Sequence, residues 1–351
     1  MKGLFAYSNP RAIHWGPGSI SELGQELARL EAHRIALVTT RSLVAEERLI
    51  SLVQHACGEA RVAVTVVVSQ HAPMTQVEEC FHKAEEAQVD GVVSFGGGSP
   101  IDTAKMLAVK LADLTVRAAR GLPHVAVPTT LSAAELAAGA GYTDDAGNKA
   151  GMRDPRLLPD AVIYDAQLTL ATPMPLWLST GIRALDHAVE GFLADGWHPF
   201  SDVMALEAVR RLFESLPRAK ADPSDISART ENQLAAWFSF TLPAQSAGGL
   251  GHMMGKQIGA RYNIPHGVTS CLLLPHVIRF LAGRMPERVA LLSVATGPDP
   301  AGRVQGLIES LGLPQHIAEY GIGEPELRTA AGELAGKYPA DDLLEIYLAA
   351  L

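Results

Sequence analysis

Gly91-Val92-Val93-Ser94-Phe95-Gly96-Gly97-Gly98-Ser99-Pro100-Ile101-Asp102-Thr103-Ala104-Lys105 runs from a short apolar segment through three glycines into a helical pattern. The order predicts a strand, a phosphate-binding loop and a helix. Glycine lacks a Cβ, so a diphosphate can approach the backbone, and the N–H groups that open a helix carry partial positive charge. Pro100 suits the first helical turn, where a missing N–H costs nothing. The spacing departs from Gly-x-Gly-x-x-Gly, which excludes the standard dinucleotide fingerprint. Taken alone, the glycines also fit a tight strand-to-helix turn that holds no ligand.

Around this stretch, the first half of the chain alternates strand and helix patterns. Residues 4–7 and 13–16 read as short strands, and Gly16-Pro17-Gly18-Ser19 is a turn whose serine is placed to cap a helix over 20–32. Strands follow at 35–39, 62–68, 92–95, 124–127 and 161–165, with helices over 43–55 and 76–88. Such alternation predicts a parallel sheet covered on both faces, with ligands collecting at the carboxyl ends of the strands, where Thr40 and Gly96 both fall. Residues 139–143 and 149–152 flank Asp144-Asp145-Ala146-Gly147-Asn148 as a hairpin. From about Pro173 the pattern is helical: 174–194, 200–215, 228–245, 249–260, 268–281, then shorter helices to Leu351. An α/β domain over 1–165 and an all-helical domain over 166–351 are expected, with the active site in the cleft between them.

The 351 residues, 48% hydrophobic and 19% charged, suffice for two domains with a substantial core. A formal charge of −9 argues against a nucleic-acid-binding surface, though the charge of one pocket can differ in sign from the total. Cys57, Cys80 and Cys271 are odd in number and widely spaced, which fits buried reduced thiols better than a disulfide framework or a CxxC metal site. No run approaches the ~20 apolar residues of a membrane span, and the N-terminus lacks a signal-peptide pattern. A cytoplasmic protein is expected.

The segment from Gly96 to Lys105 resembles the GGGSxxDxAK signature of the iron-containing alcohol dehydrogenase superfamily. That superfamily includes maleylacetate reductases, glycerol dehydrogenases and, more distantly, dehydroquinate synthases. Pro128-Thr129-Thr130, Leu158-Pro159, Gly181 to Glu190, His252 and Pro265-His266-Gly267 are further family-like segments, in the family's order over most of the chain. The resemblance implies a dehydroquinate synthase-like fold, in which a dinucleotide-binding domain with a non-standard Rossmann-like sheet precedes an all-helical domain. It also implies a homodimer and an NAD(H) or NADP(H) cofactor contacted by Thr40, Gly96, Gly97, Gly98, Ser99, Asp102, Thr129, Thr130, Ser132 and Lys149. The hydroxyls of Thr129, Thr130 and Ser132 can bond the cofactor or cap the following turn. Many members end the strand corresponding to 35–39 with an aspartate that binds the adenosine ribose and repels a 2′-phosphate. Here Thr40 stands there, followed by Arg41 and Ser42. A guanidinium at that point either takes the phosphate, admitting NADPH, or is a solvent-exposed arginine at a helix start.

Two helical segments carry the candidate chemistry. Arg183 and His187 lie one turn apart, as do His252 and Lys256, and His266 opens another helix. A single such histidine is more often a structural hydrogen-bonder than a ligand. His187, His252 and His266 match the family's metal-histidine positions, however, which implies Fe²⁺ or Zn²⁺. The family's fourth ligand is an aspartate four residues before the first histidine, and Arg183 occupies that position. Arginine cannot ligate a metal, and the exchange shifts local charge by two units. Asp186 is a substitute ligand only if it turns through about 100° on its helix. Lys256 likewise replaces a family histidine.

A pocket with Arg183, Lys256 and three histidines is expected to be cationic and to suit an anionic small-molecule substrate. Leu131-Ser132-Ala133-Ala134-Glu135 resembles the maleylacetate reductases, members that reduce an acidic unsaturated keto acid. The expected activity is therefore reduction of a carbonyl or enoyl-keto acid. Arg183 or Lys256 would bind a carboxylate or polarise the reacting oxygen, and His252 or His266 would donate the proton. The alternatives are a metal-dependent alcohol or aldehyde dehydrogenase, a lyase of the dehydroquinate synthase type, and a non-catalytic nucleotide-binding protein.

Overall fold

The computed structural model describes residues 9–115, 119–147, 149–194, 198–240 and 249–351. The strand expected at 4–7, Asn148 of the hairpin turn and residues 241–245 of the expected helix lie outside them. The chain divides between Thr172 and Pro173 into two compact units.

The first unit alternates strand and helix: β1 (Ala12–Trp15), α1 (Leu23–Arg29), β2 (Arg34–Thr39), α2 (Arg41–Val44), α3 (Glu47–Ala56), β3 (Arg61–Val67), α4 (Met74–Glu86), β4 (Gly91–Gly96), α5 (Gly98–Asp113) and β5 (His124–Pro128). β6 (Gly139–Thr143) and β7 (Lys149–Arg153) form the antiparallel hairpin, and β8 (Ala161–Tyr164) completes the main sheet. That sheet is parallel throughout, in the order β1-β8-β5-β4-β2-β3. β4, β5 and β8 are buried along their whole length, which explains their near-continuous apolar runs. Successive side chains feed opposite cores: Ala36, Val38 and Val92 pack with α4 and α5, while Ile35, Leu37, Val93 and Phe95 pack with α1 and α3. The chain leaves β2 outward to β3 and returns to β4 on the other side, so the strand order reverses between β2 and β4. Thr40 and Gly96 stand at the carboxyl ends of those two strands, at the point where open α/β sheets bind ligands.

Two local expectations need correction. Ser19 caps no α-helix: Gly18, in the left-handed region at φ 83°, precedes a 3-10 turn (Ser19–Glu22), and Ser19 Oγ donates to the Tyr164 carbonyl instead. The free Ile20 N–H at this end donates to the Asp165 carboxylate at 3.2 Å. The single helix expected over 43–55 is two. Thr40 Oγ1 caps α2 through the Leu43 N–H, and the backbone leaves the helical region at Glu46 (ψ 69°) before α3 restarts on the Glu46 carbonyl.

The second unit is helical: α6 (Met174–Phe192), α7 (Pro199–Ala221), α8 (Ile226–Ser239), α9 (Leu250–Arg261), α10 (His266–Ala282), α11 (Pro286–Thr296), α12 (Pro300–Ser310), α13 (Glu324–Leu334) and α14 (Ala340–Ala349). α6 is buried on every side from Trp177 to Phe192, as a helix must be when α7, α8 and α10 all pack on it. Among the described residues, no helix is long and apolar enough to cross a membrane. All three cysteines are free and buried, and burial pushes the Cys57 and Cys80 thiols up to about 11.

His124 gives the sheet a pH signature. Its Nε2 lies 2.8 Å from Ser94 Oγ in the interior, and burial lowers the imidazole to about 3 from 6.5. Below pH 6.5 the unfolded chain takes up a proton that the folded chain refuses, so stability falls with pH by roughly 1.4 kcal/mol per unit down to about pH 3. In urea titrations between pH 4 and pH 7, His124→Asn should show a distinctly shallower dependence on pH than the parent.

Candidate functional site

In the first unit the glycines answer to packing as well as to any ligand. Gly96 has φ +149°, and a Cβ on it would lie 2.8 Å from Pro100 Cγ. A Cβ on Gly97 would lie 2.9 Å from Thr130 Cγ2, whereas one on Gly98 would come no nearer than 3.6 Å to any neighbour, Ser132 Oγ. Gly97 occupies the cap position of α5 and brings no side chain to it. The first N–H groups of this 16-residue helix therefore point out with no intrahelical acceptor and no side-chain cap. That is a donor set for an anionic group, and it fits a dinucleotide diphosphate.

The strand-end loop closes beside it. Thr129 N–H donates to the Gly96 carbonyl at 2.9 Å, and Thr172 Oγ1 donates to the Thr129 carbonyl at 2.8 Å. Thr130 Oγ1 donates to Ser132 Oγ at 3.4 Å. Thr40 is the α2 cap, with its hydroxyl 3.0 Å from that of Ser42. Ser99 Oγ accepts the His71 N–H at 2.9 Å, and Lys149 Nζ donates to Thr143 Oγ1 at 3.1 Å, which ties the hairpin to the same region through the Thr143 hydroxyl and the His71 carbonyl.

Asp102 has a structural task. Its Oδ2 accepts the Gly141 N–H at 3.0 Å, and its Oδ1 lies 3.4 Å from Lys105 Nζ. Lys105, which the sequence reading left without a role, is completely buried and donates to the carbonyls of Ala134 (2.5 Å), Ala137 (2.9 Å) and Gly139 (2.7 Å). One ammonium thus straps residues 134–139 onto α5, with the i,i+3 pairing to Asp102 as its signal in the sequence. Glu135, in the same segment, is fully buried and accepts the Tyr164 hydroxyl at 2.7 Å.

The second unit brings together three of the four expected catalytic residues. Arg183 and His187 lie on α6, His252 in the first turn of α9, and His266 opens α10. The ring centroids are 6.2 Å apart for His187 and His252, and 5.4 Å for His252 and His266. Arg183, only 3% exposed, enters this group. Its Nη1 donates to Asp186 Oδ2 at 2.8 Å and Ser270 Oγ at 3.0 Å, while Nη2 contacts Nδ1 of His252 and lies 2.9 Å from Nε2 of His266. A guanidinium only donates, so the ring nitrogens facing it accept. This places the hydrogen of His252 on Nε2 and that of His266 on Nδ1. Burial, reinforced by Arg183 and the two neighbouring imidazoles, holds His187 well below its ordinary value.

Three placements differ from expectation. Arg183 is neither open to a substrate carboxylate nor an unbalanced charge, because Asp186 pairs with it. Asp186 serves the guanidinium instead of a metal. Lys256 lies on the exposed side of α9, outside the guanidinium cluster, and has no ion-pair partner among the described residues.

Glu190, one turn beyond His187 on α6, is a residue the sequence reading missed. It accepts the N–H groups of Gly251 (2.5 Å) and His252 (3.1 Å), so it caps α9 and positions His252. A Cβ on Gly249 would come within 2.2 Å of that carboxylate, which explains the glycine. Among the described residues no group of three or more His, Cys, Asp or Glu side chains is arranged to hold a metal ion. The His252 and His266 nitrogens that a metal would need face the Arg183 guanidinium, so the residues present do not fit one.

Loss of Lys105 would leave three buried carbonyls and Asp102 without their donor. Lys105→Met should cost about 3 kcal/mol in denaturant unfolding. It should also weaken binding of nicotinamide dinucleotide measured by calorimetry, because residues 134–139 lose their attachment to α5.

Comparison with known proteins identifies the family. Residues 10–166 match the family model for iron-containing alcohol dehydrogenase, and residues 177–338 the model for the C-terminal part of the Fe-containing alcohol dehydrogenase family. The chain is 31% identical to a maleylacetate reductase of Sphingobium indicum over 94% of this chain and 90% of that protein. It is 31% identical to one of Pseudomonas aeruginosa over 97% of this chain and 93% of that protein. The crystal structure of maleylacetate reductase from Agrobacterium tumefaciens superposes with a TM-score of 0.89 at 27% identity, covering 100% of this chain and 99% of that one. The chain belongs to the iron-containing alcohol dehydrogenase superfamily, in its maleylacetate reductase branch, and is an NAD(P)-dependent oxidoreductase.

Proposed function

We propose that the protein reduces a carbonyl or enoyl-keto acid bearing a carboxylate, with NADH or NADPH as hydride donor and maleylacetate as the model substrate. The observation that carries this reading is the two-sided fixing of His252. Arg183 holds its Nδ1 and Glu190 its backbone N–H, which leaves the Nε2 hydrogen aimed by the protein. Fixed, pre-oriented donors of this kind stabilise the negative charge that builds on a substrate oxygen during hydride transfer.

The N–H groups that open α5, beside Thr130 and Ser132, would hold the diphosphate of the cofactor. The reduced nicotinamide would supply a hydride to the electrophilic carbon of the carbonyl or conjugated alkene. The electron pair moves to the carbonyl oxygen, where the His252 Nε2–H donates a hydrogen bond to the developing charge, and solvent water supplies the proton that completes the two-electron reduction. His266, which is exposed, supports this charge from the rim. Lys256, one turn beyond His252 and unpaired among the described residues, receives the substrate carboxylate. Arg183 acts through the histidines. Thr40, where a carboxylate would repel a 2′-phosphate, leaves Arg41 beside it, so both NADH and NADPH are expected to serve.

The test is initial-rate oxidation of NADH and NADPH with maleylacetate and with a small neutral aldehyde, before and after chelation. Turnover of maleylacetate that resists chelation is the expected result, and turnover of the aldehyde alone, abolished by chelation, would overturn the reading. Lys256→Gln should raise the KM for maleylacetate roughly 10- to 100-fold with little change in kcat, the signature of lost binding to a charged group.

A further inference from the structure

We propose that the Arg183 guanidinium is a built-in occupant of a three-imidazole metal cage, supplying internally the cation that three convergent histidines would otherwise hold. His252 lies between the other two imidazoles, its ring centroid 6.2 Å from that of His187 and 5.4 Å from that of His266, and three imidazoles are the donor set of a zinc-type site. Here two of them accept from a single guanidinium nitrogen, Nη2. The other terminal nitrogen is anchored by Asp186 Oδ2 and Ser270 Oγ, which themselves bond each other at 2.6 Å. The cation is therefore held from behind by an anion and a hydroxyl, and it presents donors forward to the rings.

Two polar atoms show that the cage is fitted to this occupant incompletely. Asp186 Oδ1 and His187 Nδ1 are buried and have no hydrogen-bond partner among the described residues. An unpartnered buried polar atom carries a desolvation penalty of ~1–3 kcal/mol, and nothing in the guanidinium arrangement relieves it. Both atoms lie on α6 within one turn of Arg183. Removal of the guanidinium takes its charge and its donors away from His252 and His266, and an aspartate at the same position supplies a carboxylate one turn from His187. One substitution thus separates the present site from a three-histidine, one-carboxylate ligand set, of a kind that holds Zn²⁺ or Co²⁺ at about one ion per chain. The inference concerns the occupant of the cage and stands whatever substrate the enzyme takes.

The experiment is metal analysis of the full-length parent, Arg183→Asp and the double variant Arg183→Asp/His252→Ala after dialysis against Zn²⁺ and gel filtration. A parallel set loaded with Co²⁺ is read by its visible absorption. The parent should retain less than about 0.1 equivalent and show no visible cobalt bands, Arg183→Asp should retain about one equivalent with tetrahedral cobalt bands, and the double variant should lose both. Circular dichroism and a melting curve establish that each variant is folded. If Arg183→Asp does not fold, Arg183→Asn opens the same cage without adding charge and carries the same expectation at lower affinity. About one equivalent retained by the parent and lost in a parent-background His252→Ala variant would overturn the proposal. So would a folded Arg183→Asp or Arg183→Asn that takes up no metal.

Discussion

The helical unit is arranged around one buried guanidinium. A charge taken out of water costs several kcal/mol unless oxygens and nitrogens replace the lost hydration. Arg183 recovers them from three separate pieces of chain: Asp186 on its own helix, Ser270 and His266 on α10, and His252 on α9. Each partner constrains the others. α10 cannot shift along α6 without breaking the bonds to Ser270 and His266, and α9 is tied a second time where Glu190 takes the N–H groups of Gly251 and His252. The glycine at 249 follows from that second tie, because any side chain there would occupy the space of the Glu190 carboxylate. Small residues at the start of α9 are thus a consequence of how the histidine is held.

The α/β unit solves a related problem with Lys105. Residues 134–139 have little regular structure of their own, so their carbonyls need donors from outside. A single ammonium with three donors meets three of them at once, and Asp102 keeps the arrangement near neutrality. Asp102 also takes the Gly141 N–H at the start of the hairpin. The two ends of this segment are therefore fixed to the same helix, α5. In each unit a buried cation draws together acceptors from separate pieces of chain. The chemistry differs because the acceptors differ: carbonyl oxygens around Lys105, imidazole nitrogens around Arg183.

The central strands β4, β5 and β8 were legible in the sequence because each lies in a short apolar run, bounded by turn residues, that is buried on two faces. What failed locally failed for want of distant partners. Ser19 has the composition of a cap, but Gly18 takes the left-handed conformation and the acceptor for Ile20 comes from Asp165, 145 residues away. The convergence of His187, His252 and His266 could be inferred from resemblance, since no spacing along the chain places residues 187, 252 and 266 together. The pairing of Arg183 with Asp186 is legible from the i+3 spacing on one helix, as is that of Lys105 with Asp102. The other partners of Lys105, and those of Glu190, are backbone groups, which a sequence does not distinguish.

Arginine and lysine are not equivalent at position 183, and the difference explains why this cation and no other suits the cage. The side chain must meet a carboxylate, a hydroxyl and two imidazoles that lie on opposite sides of it. An ammonium has three donors on one atom, which cannot reach four acceptors distributed over two fronts. A guanidinium divides its donors between two terminal nitrogens in one plane, so Nη1 faces Asp186 and Ser270 while Nη2 faces the rings. Its charge is permanent and weakly hydrated, which lowers the cost of burial relative to an ammonium. The histidines then have no choice of tautomer on the side they turn to Arg183, and the hydrogen each carries is displaced to its other nitrogen. For His252 that nitrogen is Nε2, so the orientation of the proposed hydrogen-bond donor is set by a residue that need never touch the substrate.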